Sequence, residues 1–202
     1  MIFRHGAAKS DDGTIVCIPN NVDRALLIIP HETKIEPTLI EIGDETVIQT
    51  GRHRSDKKYK YLGAMAGTNG RVYIFPSGSE YVLEVDTKGM IARNVGPNLR
   101  DTGMERIFQN KWQNGLTNHQ DNCVYAIPLS GETLLRIDCS KKDDHDEDDV
   151  EVTTWELPSP FETLDKWEGG VICKNGLMYT IPNNCKAVLK IQPCNWKPDS
   201  AV

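Results

Sequence analysis

Residues 175–191, NGLMYTIPNNCKAVLKI, read as two apolar stretches around a polar turn, with Pro182 where the first stretch should still be running as a strand. Proline has no N–H to give to a sheet ladder, so its place inside a strand pattern asks for a reason. The reason lies in repetition. Pro19, Pro76, Pro128 and Pro182 are spaced by 57, 52 and 54 residues, and the text around them aligns without gaps. The four segments are DGTIVCIPNNVDRALLII (12–29), NGRVYIFPSGSEYVLEVD (69–86), DNCVYAIPLSGETLLRID (121–138) and NGLMYTIPNNCKAVLKIQ (175–192).

Each segment opens on a turn dipeptide: Asp12-Gly13, Asn69-Gly70, Asp121-Asn122 or Asn175-Gly176. Such pairs supply the positive φ of a tight hairpin. A short strand follows, carrying Val16, Tyr73, Tyr125 and Tyr179 at matching positions. Beyond the proline and a polar loop, a further strand carries Leu26, Leu83, Leu135 and Leu189, then Ile28, Val85, Ile137 and Ile191 two residues on. That spacing puts both apolar side chains on one face. Upstream, Gly6, Gly63, Gly115 and Gly169 stand thirteen residues before their prolines, each preceded closely by an aromatic: Phe3, Tyr61, Trp112 and Trp167. KYLGAM, KWQNGL and KWEGGV read as a strand leading into the unit, and TLIEIG, MIARNVG and VEVTTWEL as a fourth strand ending it.

Four antiparallel strands per unit of about fifty residues predict an all-β fold, a β-propeller of four blades. The blades span approximately 1–50, 58–98, 109–158 and 165–194, forming a single domain over 1–194 with a flexible tail at 195–202. The proline then marks where the second strand leaves the sheet and no donor is needed. The units resemble the propeller repeats of NHL, streptogramin-lyase-like and kelch-like proteins, through the pattern exemplified by NGRVYIFPSGSEYVLEVD. The double glycine of kelch blades occurs once, at Gly169-Gly170, and the WD dipeptide is absent. The resemblance implies a fold and carries no chemistry with it. Beyond Ile191 only QPCNWKPDSAV remains, so the last blade is expected to lack its outer strand. A closed four-bladed ring is the preferred arrangement; the alternative is a half-ring completed by a second copy, a homodimer of eight blades with two-fold symmetry.

Composition sets the remaining bounds. With 39% hydrophobic and 26% charged residues and no long apolar run, no membrane association is expected. A net charge of −6 argues against nucleic acid as a partner. MIFRHG lacks the features of a signal peptide, pointing to the cytoplasm or an intracellular organelle. The six cysteines show no CxxC pair and read as free thiols of a reducing compartment.

In a propeller, the connection leading into each blade and the loop after its second strand open on one face. One residue before the shared glycine stand His5, Leu62, Asn114 and Glu168; after the proline come Asn20 and Asn21, and Asn183 and Asn184. His5, Asn114 and Glu168 with these four asparagines form the candidate ligand site. The basic and aromatic loop GRHRSDKKYKY (51–61) is a candidate patch for phosphate or an acidic partner. The run from Asp143 to Asp149, with six acidic residues among seven, reads as a solvated loop. The five histidines fall at five different repeat positions, and neither a nucleophile elbow nor a dinucleotide fingerprint is present. No catalytic residue, metal ligand or cofactor is therefore assigned. The expected function is a non-catalytic protein-interaction scaffold or subunit of a larger assembly. The alternative is a metal-dependent hydrolase or lyase with its site at His5, Asn114 and Glu168.

Overall fold

The computed structural model describes residues 6–140, 150–158, 163–193 and 195–196. It is built from four antiparallel sheets, each a meander in chain order. The first holds β1 (Ala7–Lys9), β2 (Ile15–Cys17), β3 (Ala25–Ile29) and β4 (Thr38–Ile42). The second holds β5 (Tyr61–Ala66), β6 (Val72–Pro76), β7 (Val82–Asp86) and β8 (Ile91–Val95). The third holds β9 (Trp112–Asn118), β10 (Cys123–Pro128), β11 (Thr133–Asp138) and β12 (Glu151–Glu156). The fourth has three strands, β13 (Trp167–Ile172), β14 (Met178–Pro182) and β15 (Lys190–Ile191). One helical turn, α1 (Glu45–Ile48), interrupts the connection between the first two sheets, its N-terminus capped by the Asp44 carboxylate.

The repeated proline closes β6, β10 and β14, and its partner across the ladder is the repeated aromatic: Tyr61 with Pro76, Trp112 with Pro128, Trp167 with Pro182. In all three sheets the register shifts immediately afterwards, so the proline stands where the ladder is already broken. The shift also corrects the alignment of the third unit. Gly63 pairs with Phe75, one residue before its proline, whereas Gly115 pairs with Ala126, two before. The residues equivalent to Gly63 are thus Asn114 and Gly169, and those equivalent to Leu62 are Gln113 and Glu168.

Successive sheets bury a common core. Between the first and second lie Val16, Ile18 and Leu27 with Val72, Ile74, Leu83 and Val85. Between the second and third lie Tyr73, Phe75 and Val82 with Val124, Ala126, Leu135 and Ile137. Between the third and fourth lie Tyr125 and Leu134 with Met178 and Ile191, and Ile127 with Trp167 and Cys185. The alternation of β6 and β10 therefore turns one set of side chains to the preceding sheet and the other to the following one. Each large apolar side chain fully enclosed in this way contributes about 1.5–3 kcal/mol. The inner strands pack in series, β1 on β5, β5 on β9 and β9 on β13. The approach is closest at Gly63, where a Cβ would lie 1.4 Å from the Gln113 carbonyl oxygen. Three seams are filled in this way. The fourth, which a closed ring of four would place between β13 and β1, shows no such packing among the described residues.

Candidate functional site

A lysine precedes the aromatic at the start of the second, third and fourth sheets, and Lys60, Lys111 and Lys166 are all buried. The Lys111 ammonium donates to the Ser77 and Ser79 carbonyls at 2.9 and 2.6 Å. That of Lys166 donates to the Ser130 and Gly131 carbonyls at 3.0 and 3.1 Å. Each lysine thus reaches back to the loop after the second strand of the preceding sheet. Lys60 varies the theme, donating to the Lys57 carbonyl at 3.0 Å and lying 3.4 Å from the Asp23 carboxylate. Burial lowers the pKa of all three, that of Lys111 to about 8 against the opposing charges of Glu105 and Glu80. Beside them, Trp112 donates its indole N–H to the Thr133 carbonyl at 2.8 Å, and Trp167 to that of Ala187 at 2.7 Å. The lysines were visible in KY, KW and KW, but their part in the seams shows only once the loop carbonyls are in place.

The same connections build a cavity of about 120 Å³ between the second and third sheets. Its walls include Arg52, His53 and Arg54 from one connection, and Arg100, Phe108 and Lys111 from the next. Gly51 brings its chain against Glu80, where a Cβ would lie 2.5 Å from a carboxylate oxygen at a φ of +87°. Glu80 is 3% exposed. It accepts the Arg52 backbone N–H at 3.0 Å, the Arg52 Nε–H at 2.9 Å and the Asn98 amide at 2.8 Å. Burial opposes its ionisation, yet these donors together hold its pKa below the ordinary value. Glu105, equally buried, accepts from Ile107 and from both the amide and hydroxyl of Thr133. Arg52 also pairs with Asp101, and Arg54 with Asp56 while donating to Gln109 at 3.0 Å, so arginines clasp the two connections together. The Arg100 guanidinium lies 3.8 Å from the centre of the Phe108 ring and 3.7 Å from Glu80. The His53 ring nitrogens are buried without a hydrogen-bond partner, and burial lowers its pKa, only partly offset by the nearby Gln49 and Thr50 carbonyls. The arrangement offers an anion one stacked guanidinium, on walls made apolar by Leu99, Ile107 and Phe108. The basic loop 51–61 is therefore the part of the sequence reading that meets a cavity.

The other predicted site residues divide. His5 lies outside the described residues, as does the acidic run Asp143–Asp149. Asn114 and Glu168 are exposed on adjoining inner strands, and Gln113, the true repeat equivalent of Glu168, donates to its carboxylate at 3.4 Å. Asn20 is buried and spends its amide on the Tyr61 carbonyl at 2.8 Å. The Asn21 side chain accepts the Tyr59 N–H at 2.9 Å. The Asn183 backbone N–H donates to Lys166, and Asn184 donates its backbone N–H to Asp165 and its amide to the Leu164 carbonyl. Asn20, Asn21 and Asn184 thus stitch each loop to the connection beside it. No group of three or more His, Cys, Asp or Glu among the described residues has a metal-binding arrangement. Cys123, Cys139, Cys173 and Cys185 are free thiols, of which Cys123, Cys139 and Cys185 are buried. No helix among the described residues is long and apolar enough to cross a membrane.

Four successive antiparallel meander sheets with inner strands in series define the class of fold. No protein-family model and no curated protein matches the chain. Solved structures share the fold, among them two lyases. A streptogramin B lyase superposes with a TM-score of 0.60 at 11% identity, covering 94% of this chain and 54% of its own. A catalytically inactive virginiamycin B lyase from Staphylococcus aureus, solved with quinupristin, superposes with a TM-score of 0.59 at 11% identity, covering 96% of this chain and 57% of its own. The chain thus spans just over half the length of these lyases.

Proposed function

We propose that the chain is an arc of four β-propeller blades serving as a non-catalytic interaction subunit, and that it recognises an acidic segment of a protein partner. The carrying observation is the cavity between the connections at 51–60 and 98–111, where Arg52, Arg54, Arg100 and Lys111 outnumber Glu80 and Glu105 on the wall. Each arginine is braced by a carboxylate, an amide or a ring, so the cationic wall is ordered before a ligand arrives. A carboxylate entering beside Arg100 gains a charge-assisted hydrogen bond. The test is thermal unfolding of the whole chain titrated with a synthetic glutamate-containing peptide, its glutamine counterpart serving as control. At about one hundred times its dissociation constant the acidic peptide should add about 2.7 kcal/mol of stability. Arg100→Gln should abolish that gain. Equal shifts with both peptides, or an undiminished shift in Arg100→Gln, overturn the reading.

A second reading, a metal-dependent hydrolase or lyase at His5, Asn114 and Glu168, draws on the fold shared with streptogramin B lyase and on the meeting of Gln113 with Glu168. Turnover of a lactone or cyclic ester substrate, lost in Glu168→Gln and retained in Arg100→Gln, would favour it.

A further inference from the structure

The three filled seams define which positions face the next sheet, and the fourth sheet carries apolar residues at those positions that stay exposed among the described residues. One residue before the proline, Phe75 and Ile127 are 0% and 1% exposed, whereas Ile181 is 53% exposed. Six residues after the proline, Val82 and Leu134 are buried, whereas Val188, just ahead of β15, is 56% exposed. Val171, cross-strand partner of Tyr179, extends this apolar flank along the inner strand. At the end of the inner strand the equivalent residues Ser10, Gly67 and Asn118 are buried, and Asn118 donates its amide to the Gly176 carbonyl of the following sheet at 3.0 Å. Cys173 holds the same position in the fourth sheet and is exposed.

The lysine latch says what kind of surface belongs there. Counted from the prolines, Asn183, Asn184 and Cys185 occupy the places of Ser77, Gly78 and Ser79 and of Leu129, Ser130 and Gly131. The carbonyls of those loops receive Lys111 and Lys166 in the filled seams. The side chains that a following sheet turns backwards are small or slender: Val72 and Ile74, Val124 and Ala126, Met178 and Thr180. The first sheet offers Ile15 and Cys17 there, but at the positions of Lys60 and Tyr61 the sequence has Phe3 and Arg4. A second copy presenting its first sheet would therefore bring no lysine.

We infer that the flank formed by Val171, Cys173, Ile181 and Val188 is a docking surface for one further sheet of the same repeat. That sheet opens on a lysine-aromatic dipeptide, and its ammonium is received by the carbonyls of the loop 183–185.

The experiment continues the chain after Ile191 with a copy of residues 86–158, supplying an outer strand to the fourth sheet and a fifth sheet beyond it. Alkylation of Cys173 is followed by peptide mass mapping. In the original chain, and in a control extended only with residues 86–108, Cys173 should react freely. In the full extension its modification should slow about tenfold or more, with the protection lost on unfolding. Lys111→Met made only in the added copy should return most of the reactivity at pH 10, where the deficit of the methionine variant is largest. Unchanged reactivity in the full extension would overturn the inference. So would protection in the original chain that grows with its concentration, because the occupant would then be a second copy.

Discussion

Replacing Lys111 by methionine tests the latch through its dependence on pH. Methionine keeps most of the stem's volume and removes the charge and three donors. Two contributions oppose each other. Loss of the donors leaves the Ser77 and Ser79 carbonyls short of a partner in a buried setting, costing about 1–3 kcal/mol each. Removing the charge relieves the burial that pushes the lysine from 10.5 down to about 8, worth about 3 kcal/mol while the group is protonated. At pH 7 these largely offset each other, so Lys111→Met should change stability by between about 1 kcal/mol of gain and about 3 kcal/mol of loss. Between pH 8 and 10.5 the unfolded chain holds the proton that the folded chain has released, so the wild type gains stability as pH rises. The mutant lacks that gain. Its deficit should therefore grow by about 2–3 kcal/mol between pH 7 and pH 10. Denaturant unfolding of both proteins at each pH measures this difference. The thiols of Cys123 and Cys139, which burial pushes up to about 12, lower stability in alkali equally in both proteins and cancel. A deficit that is constant or shrinks with pH would refute the assignment of Lys111 as a buried, proton-linked donor.

Gly63→Ala should cost about 4 kcal/mol or more, or prevent folding, because its Cβ falls on the Gln113 carbonyl. Gly13→Ala, with open space around it and a φ of +88°, should cost only about 1–2 kcal/mol; chemical denaturation compares them. Trp112→Phe deletes the donor to the Thr133 carbonyl and should cost about 1–3 kcal/mol, read as a lower denaturation midpoint with an unchanged slope. Glu80 has a lowered folded-state pKa, so it stabilises above its ordinary 4.5 and loses that effect as pH falls through the folded value. Glu80→Gln should accordingly flatten part of the acid limb of the stability curve, and an unaltered limb would exclude Glu80 as a contributor.

The sheets were legible because four gapless copies carry period-two apolar pairs, and Leu83 with Val85, or Leu135 with Ile137, faces the preceding sheet as that spacing requires. The proline was legible as a strand end, though the bulge beside it was not. Alignment on glycine placed Asn114 level with Glu168, while the sheet register places Gln113 there. The candidate site was legible only in part. Residues 51–54 stood out by charge, but Leu99, Glu105 and Phe108 reach the cavity through a connection with no repeat signal. The asparagines were read as ligand donors because turn residues are polar; Asn20 instead satisfies a carbonyl across a seam. Short side chains that hydrogen-bond backbone look alike in sequence whether they face a ligand or a neighbouring loop.

A buried ammonium is a poor source of stability, and an apolar residue of similar volume would often serve as well. The loop carbonyls explain why it recurs here. The Ser77 and Ser79 carbonyls point out of their own sheet, and the Lys111 ammonium reaches both from the next one. An apolar residue at position 111 fills the space and leaves those carbonyls unpaired. With Lys111 and Lys166 the donor comes from the later sheet and the acceptors from the earlier one, so the contact has a direction as well as an energy. The two terminal flanks consequently differ in kind. The first sheet turns half-buried Ile15, Cys17, Leu26 and Ile28 outwards, with Phe3 and Arg4 where the later sheets have lysine and aromatic. The fourth turns outwards exposed Ile181 and Val188 beside a loop built like those that receive a lysine. A seam that needs both apolar fit and a donor from one side can be extended in one order only, which gives the series of sheets its polarity.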